Sequence, residues 1–177
     1  MSVRLSLLAL LAQGSSYGYQ LRSELDWRTG GAGPINVGQI YNTLDRLERD
    51  KLVRKTGIGN FYEITDAGRA AVAQWFSSSS PVSELAAKLA LAATLPGVDV
   101  DAIVRTQRAA LPVPRNNSAP SSSAELAAEI VAASVRAAAE SGRELLDATE
   151  RLLASGIPRT PLSDEVPRRG RPAKPVA

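Results

Sequence analysis

The 177-residue sequence predicts a mainly α-helical protein interrupted by one small β-hairpin. Three observations carry that prediction. Hydrophobic residues make up 44% of the chain but aromatics only 5%, so the apolar stock is Ala, Leu and Val, which favours helix. Val37, Ile40, Leu44 and Leu47 recur at 3-4-3 spacing, the stripe of an amphipathic helix. Between Val53 and Ile64 the pattern changes to two short β-rich runs around a glycine turn.

The first helix holds Leu7, Leu8, Leu10 and Leu11, apolar nearly all round and therefore buried. Its apolar run follows a single Arg4 and is short, so it reads as a core helix rather than a secretory leader. No stretch approaches the ~18 apolar residues of a membrane span. Gly14 ends this helix, and Ser15-Ser16 stand where the cap of the next belongs. The second helix covers 17–27, with Tyr17, Leu21 and Leu25 on one face, and Gly30-Gly31-Ala32-Gly33-Pro34 marks a turn.

The third helix is the best defined. Asn36 is its N-cap, and Gln39 completes an N-x-x-Q capping box. Opposite the buried stripe lie Gly38, Gln39, Asn42, Arg46 and Arg49, while Asp45, Glu48 and Asp50 fall at the flanks or beyond. An ordinary solvated face mixes both signs; this one carries amides and arginines with no acid. The hairpin pairs Val53-Arg54-Lys55-Thr56 with Phe61-Tyr62-Glu63-Ile64 across Gly57-Ile58-Gly59-Asn60. Thr65 then caps a fourth helix reaching about Phe76, with Asp66 favourable in its first turn. Serines 77–80 and Pro81 close a unit spanning 1–81.

Residues 82–156 form a second region. Helical stretches at 83–95 and 99–111 flank Pro96-Gly97, a Pro/Ser-rich linker covers 112–123, and a long helix covers 124–154. Val131, Val135, Ala138, Gly142, Leu145, Thr149 and Leu152 repeat in a heptad-like seam of mostly small residues. Val131, Val135, Ala138, Leu145 and Leu152 are the expected dimerisation contacts. Trp27 and Trp75 read as core or interface anchors. Residues 157–177 are rich in Pro, Arg and Gly, a composition that builds no core and predicts disorder when free.

Cys and His are both absent, which excludes the usual zinc sites, disulfide scaffolds and imidazole bases. The serine run has no base to activate it, so no catalytic site or cofactor is expected. Binding chemistry remains. The net charge of +3 is unevenly spread: +2 over 1–82, −2 over 83–156 and +3 over 157–177. Basic ends invite a polyanion.

Helix, helix, turn, capped helix, hairpin, helix is the order of a winged helix-turn-helix. A recognition helix buries one stripe and presents Arg to guanine and Asn or Gln to adenine in the major groove. Gln39 and Asn42 stand at the end that reaches base edges, with Arg46 and Arg49 further along toward phosphates. Double-stranded DNA is thus the expected partner.

Three motifs, about 20 residues apart, now carry a family resemblance. They are Ser16-Tyr17-Gly18-Tyr19-Gln20-Leu21, Gly38-Gln39-Ile40-Tyr41 leading into Leu44-Asp45-Arg46-Leu47-Glu48-Arg49-Asp50-Lys51-Leu52-Val53, and Tyr62-Glu63-Ile64-Thr65-Asp66-Ala67-Gly68-Arg69. The sequence resembles the PadR family of bacterial transcriptional regulators. The resemblance implies a cytoplasmic, nucleoid-associated homodimeric repressor with a C-terminal helical dimerisation domain. It also implies a palindromic operator and, in some members, release by a small-molecule effector. By position, Tyr41 and its helix neighbours would contact DNA, while Tyr17 and Tyr19 would anchor the first helices near the backbone. The turn 57–60 carries no charge, so the wing's grip is expected either from Arg54 and Lys55 at its root or to be weak. The same uncharged wing keeps open an alternative, a winged-helix protein–protein adaptor without DNA binding. In the tail, Arg169-Gly170-Arg171-Pro172 resembles the core of an AT-hook, a second and independent DNA signal beside the plain reading of a solvated basic tail.

Overall fold

The computed structural model describes residues 2–31, 35–56, 61–112 and 122–162. Among the described residues run seven helices and three short strands: α1 (Val3–Leu11), β1 (Ser16–Tyr17), α2 (Gly18–Arg28), α3 (Val37–Arg49), β2 (Val53–Thr56), β3 (Phe61–Ile64), α4 (Asp66–Ser77), α5 (Val82–Thr94), α6 (Val100–Ala110) and α7 (Ser123–Leu153). The molecule is mainly helical, as its composition predicts. The wing turn 57–60, most of the linker, and Arg169, Gly170, Arg171 and Pro172 lie outside the described residues.

The N-terminal core forms around α1, whose four central leucines are fully buried against Leu21 and Leu25 of α2 and Ile40, Leu44 and Leu47 of α3. Burying each such side chain stabilises by roughly 1.5–3 kcal/mol. Val53, Tyr62 and Ile64 of the hairpin and Val72 and Trp75 of α4 close the other side.

One local expectation needs correction. Ser16 does not cap α2; Ser16 and Tyr17 form β1, pairing antiparallel with β3 through Ser16–Tyr62 and Tyr17–Phe61. The sheet is three-stranded in the order β1-β3-β2. α2 starts at Gly18 behind an extended Tyr17 that makes no side-chain cap bond, and Ser16 Oγ is buried without a hydrogen-bond partner among the described residues. Non-local pairing with β3 outweighs the local capping preference of serine.

The helix ends around the wing follow simple chemistry. Asn36 Oδ1 accepts from the Gly38 amide at 2.9 Å, the second helical residue rather than the third that a capping box uses. At the other end of α3, the Leu52 amide reaches the Leu47 carbonyl and the Lys51 amide reaches that of Glu48. That is a Schellman cap with Lys51, at φ 60°, where glycine usually stands. Thr65 Oγ1 accepts from the Gly68 amide and caps α4. Gly68 has no substitute there: a Cβ would lie 2.3 Å from the Leu52 carbonyl oxygen.

A second core joins α5, α6 and α7 through Leu85, Leu89, Val100, Ile103, Val104, Ala139 and Leu146, with Phe76 and Val98 packing against both cores. Ser122 caps α7 by accepting from the Glu125 amide. The face that α7 buries within the chain is Ala139, Gly142 and Leu146. At Gly142 a Cβ would meet Leu111 Cδ2 at 3.1 Å, so the helices approach closely there. The heptad-like seam therefore meets the intramolecular contact only in part, at Gly142 and Leu145. Val131, Val135, Ala138 and Leu152 are exposed and Leu145 is half-buried.

The tail also departs from expectation at its start. Residues 157–162 run back along the N-terminal unit. The Arg28 guanidinium, buried, donates to Glu24, to the Thr94 carbonyl, and to the Thr160 and Pro161 carbonyls at 2.9 and 3.0 Å. Arg159 donates to the Val98 carbonyl, and Leu162 packs against the N-terminal core. One arginine with five donors converts the first part of a Pro-rich tail into a fixed strap.

Candidate nucleic-acid interface

The apolar stripe of α3 fixes what its opposite face presents. Because Ile40, Leu44 and Leu47 point into the core, Gly38, Gln39, Asn42, Arg46 and Arg49 are all exposed on the other side. The expected reading face is thus one continuous surface. Tyr41 lies beside it, half in and half out. Its ring rests on Gly18, where a Cβ would come within 2.7 Å of Tyr41 Cε1. Gly18 lets α2 and α3 cross at that point, and the crossing sets the tilt at which α3 stands out from the domain.

Electrostatics sort the charges of this region. Asp50 pairs with Arg4 at 2.7 Å, while Glu48 and Asp45 both turn to Lys55, at 2.9 and 3.4 Å. Among the described residues, Arg46 and Arg49 have no acidic partner. Both occupy the last turn of α3, where the helix dipole favours cations. The acids of α3 are consumed on its flanks, and the exposed face keeps its positive charge.

Arg54 and Lys55 are placed differently from the simple expectation. Arg54 sits opposite Glu63 across the hairpin and pairs with it at 2.8 Å. Lys55 lies over the Tyr62 ring, and its hydrogen bond to Glu48 holds its pKa well above the ordinary lysine value. The Tyr62 phenol is pushed up by its burial. Exposed ion pairs contribute only about 0.2–1 kcal/mol, so a phosphate can compete for Arg54. Lys55, held by two carboxylates, serves first to tie the wing to α3.

Tyr17 and Tyr19 also part company. The Tyr17 ring packs on Phe61 with centroids 3.6 Å apart, bracing β1 on the wing, whereas Tyr19 is exposed at the start of α2. Of the two tryptophans, Trp75 is a core anchor. Trp27 is 61% exposed and walls a cleft of about 740 Å³ with Leu89, Leu145, Leu152 and Ile157.

Sequence reasoning passed over two residues that position this surface. The Tyr41–Gly18 contact has a signal only in retrospect, a glycine opening a helix. Arg28 has half a signal, since Glu24 stands one turn before it; its carbonyl partners lie 66 to 133 residues away and have none.

Residues 7–74 match the family model of the transcriptional regulator PadR-like family. Among solved structures, the chain is similar to Bacillus subtilis PadR in complex with operator DNA, with 18% identity, 86% of this chain and 98% of that chain covered, and a TM-score of 0.40. It is similar to Bacillus subtilis PadR alone with 19% identity, 88% and 96% coverage, and a TM-score of 0.37. None of the curated proteins compared with the chain matches it.

Proposed function

We propose that this chain, whose residues 7–74 match the family model of the transcriptional regulator PadR-like family, is a regulator of that kind, binding a specific duplex DNA sequence through α3 and regulating transcription there. The observation that carries the reading is the exposed face of α3: two amides followed by two arginines, with every nearby acid engaged elsewhere. Gln39 and Asn42 read base edges, Arg46 and Arg49 hold the flanking phosphates, and Tyr41, Tyr19 and Arg54 add backbone contacts.

The protein acts as a homodimer on a palindromic site and represses by occupying it. Support for the dimer is the apolar side of α7, where Leu126, Ile130, Val131 and Val135 stand exposed. An effector, where one exists, is a small apolar molecule bound in the cleft beside Trp27, and its binding is read by Trp27 fluorescence.

The test is fluorescence anisotropy with a selected operator and with point variants of it. Gln39→Ala and Asn42→Ala relax discrimination at single base pairs by about 1–3 kcal/mol each. Unchanged affinity and unchanged preference in both variants contradict the assignment of α3.

A further inference from the structure

We infer, resting on the DNA-binding homodimer proposed above, that Lys88 and Gln107 are specificity-determining positioning residues. They lock the joint between α4 and α5 and so fix the half-site spacing that the two α3 helices accept.

The joint is the segment 78–81, between the end of α4 and the start of α5. Three serines and a proline, at the end of a four-serine run, have the composition of a flexible link. The surroundings hold it in one shape. From α5, the Lys88 ammonium donates to the Trp75 and Ser78 carbonyls at 2.6 Å each and to Ser80 Oγ at 3.3 Å, so all three of its donors are used. From α6, the Gln107 amide grips both backbone groups of Ser80. Its oxygen accepts from the Ser80 amide at 2.7 Å, and its nitrogen donates to the Ser80 carbonyl at 2.9 Å. Both side chains are buried, at 1% and 3% exposure. The three acceptors of Lys88 are neutral oxygens, and an ammonium buried among neutral groups costs more than an apolar side chain of similar volume. Placement of the link, rather than stability, accounts for a lysine there.

What the joint carries is the reading helix. Val72 and Trp75 of α4 share one core with Ile40, Leu44 and Leu47 of α3, so the two helices move together. The 12 residues of α4 span about 18 Å, and a swing of about 10° at the joint moves its first turn by about 3 Å. One base-pair step is about 3.4 Å along the duplex and turns the next half-site by about 35°. A free link follows such a change, and a held one does not. Arg28 bonds the far end of α5 at the Thr94 carbonyl, which leaves the backbone of 78–81 to Lys88 and Gln107.

The experiment measures full-length protein by anisotropy on its selected operator, on copies with one base pair added or removed between the half-sites, and on a duplex carrying one half-site. The wild type is expected to lose about tenfold or more at each altered spacing. Lys88→Met/Gln107→Met, which preserves side-chain volume, is expected to lose about threefold or less while binding the single half-site as the wild type does. Equal spacing penalties in the two proteins, no penalty in the wild type, or a matching loss on the single half-site overturns the inference. Proteolysis needs no DNA. Ser77, Ser78 and Ser79 are exposed, so only a held backbone protects them. A broad-specificity protease is expected to spare 77–81 in the folded wild type and to cut there in the double variant, or in Gln107→Met alone where the double variant does not fold. Rapid cleavage at 77–81 in the folded wild type overturns the lock without any variant. If an operator is selected but the wild type tolerates altered spacing, α3 stands and the lock falls. If no operator can be selected, the reading of α3 falls and the spacing role with it.

Discussion

Lys51 occupies the left-handed end of α3 at φ 60°, a conformation that costs a side-chain-bearing residue about 1–2 kcal/mol. Lys51→Gly should stabilise the domain by up to about 1 kcal/mol, measured as a shift in urea midpoint without a change of slope. No stabilisation would mean that Lys51 recovers the cost through its surroundings. Lys88 is a different case. It is buried with its ammonium donating to the Trp75 and Ser78 carbonyls at 2.6 Å each, which closes the C-terminal end of α4, and burial lowers its pKa. The unfolded chain therefore binds more protons than the folded one between the lowered value and about 10.5. In that window the stability of the wild type relative to Lys88→Met rises with pH. A flat difference would place the ammonium in water. Arg46 and Arg49, without acidic partners among the described residues, should each account for about one counterion in the salt dependence of DNA binding. Their alanine variants flatten the log–log slope accordingly, and an unchanged slope removes them from the phosphate contacts.

At the scale of elements, legibility followed sequence distance. The α3 stripe, the hairpin limits Val53–Thr56 and Phe61–Ile64, and the Thr65 cap were all readable, because each is decided by residues within one or two turns. β1 was not, since two residues carry no period and their pairing lies 44 or more positions away. The α7 seam was legible as an apolar pattern, but the face that α7 buries within the chain was not. Ala139, Gly142 and Leu146 face inward because Leu111 and Val82 fill the space at Gly142, and no pattern within α7 announces that. The wing root shows the same limit: Arg54 and Lys55 read as free cations until Glu63, Glu48 and Asp45 are seen around them. α3 itself depends on its anchor. Leu44→Ala should cost about 2–5 kcal/mol of stability by leaving a cavity beneath the reading face. A loss much below that would mean that α3 is held from elsewhere.

Across the whole molecule, two cores share Phe76 and Val98, and the strap 157–162 ties the end of α7 back to α2 through Arg28. Among the described residues no helix is long and apolar enough to cross a membrane. The uneven charge of the sequence acquires a spatial meaning in a positive face on α3 without acidic partners among the described residues, and in an acid-rich helical region behind it.

The central claim is that α3 reads sequence. Selection of bound duplexes from random DNA by the full-length protein tests it most directly. If α3 reads base edges and the proposed dimer forms, one palindromic motif is enriched, and it is lost in Gln39→Ala/Asn42→Ala. Recovery of no motif, or of the same motif by the double variant, would contradict it.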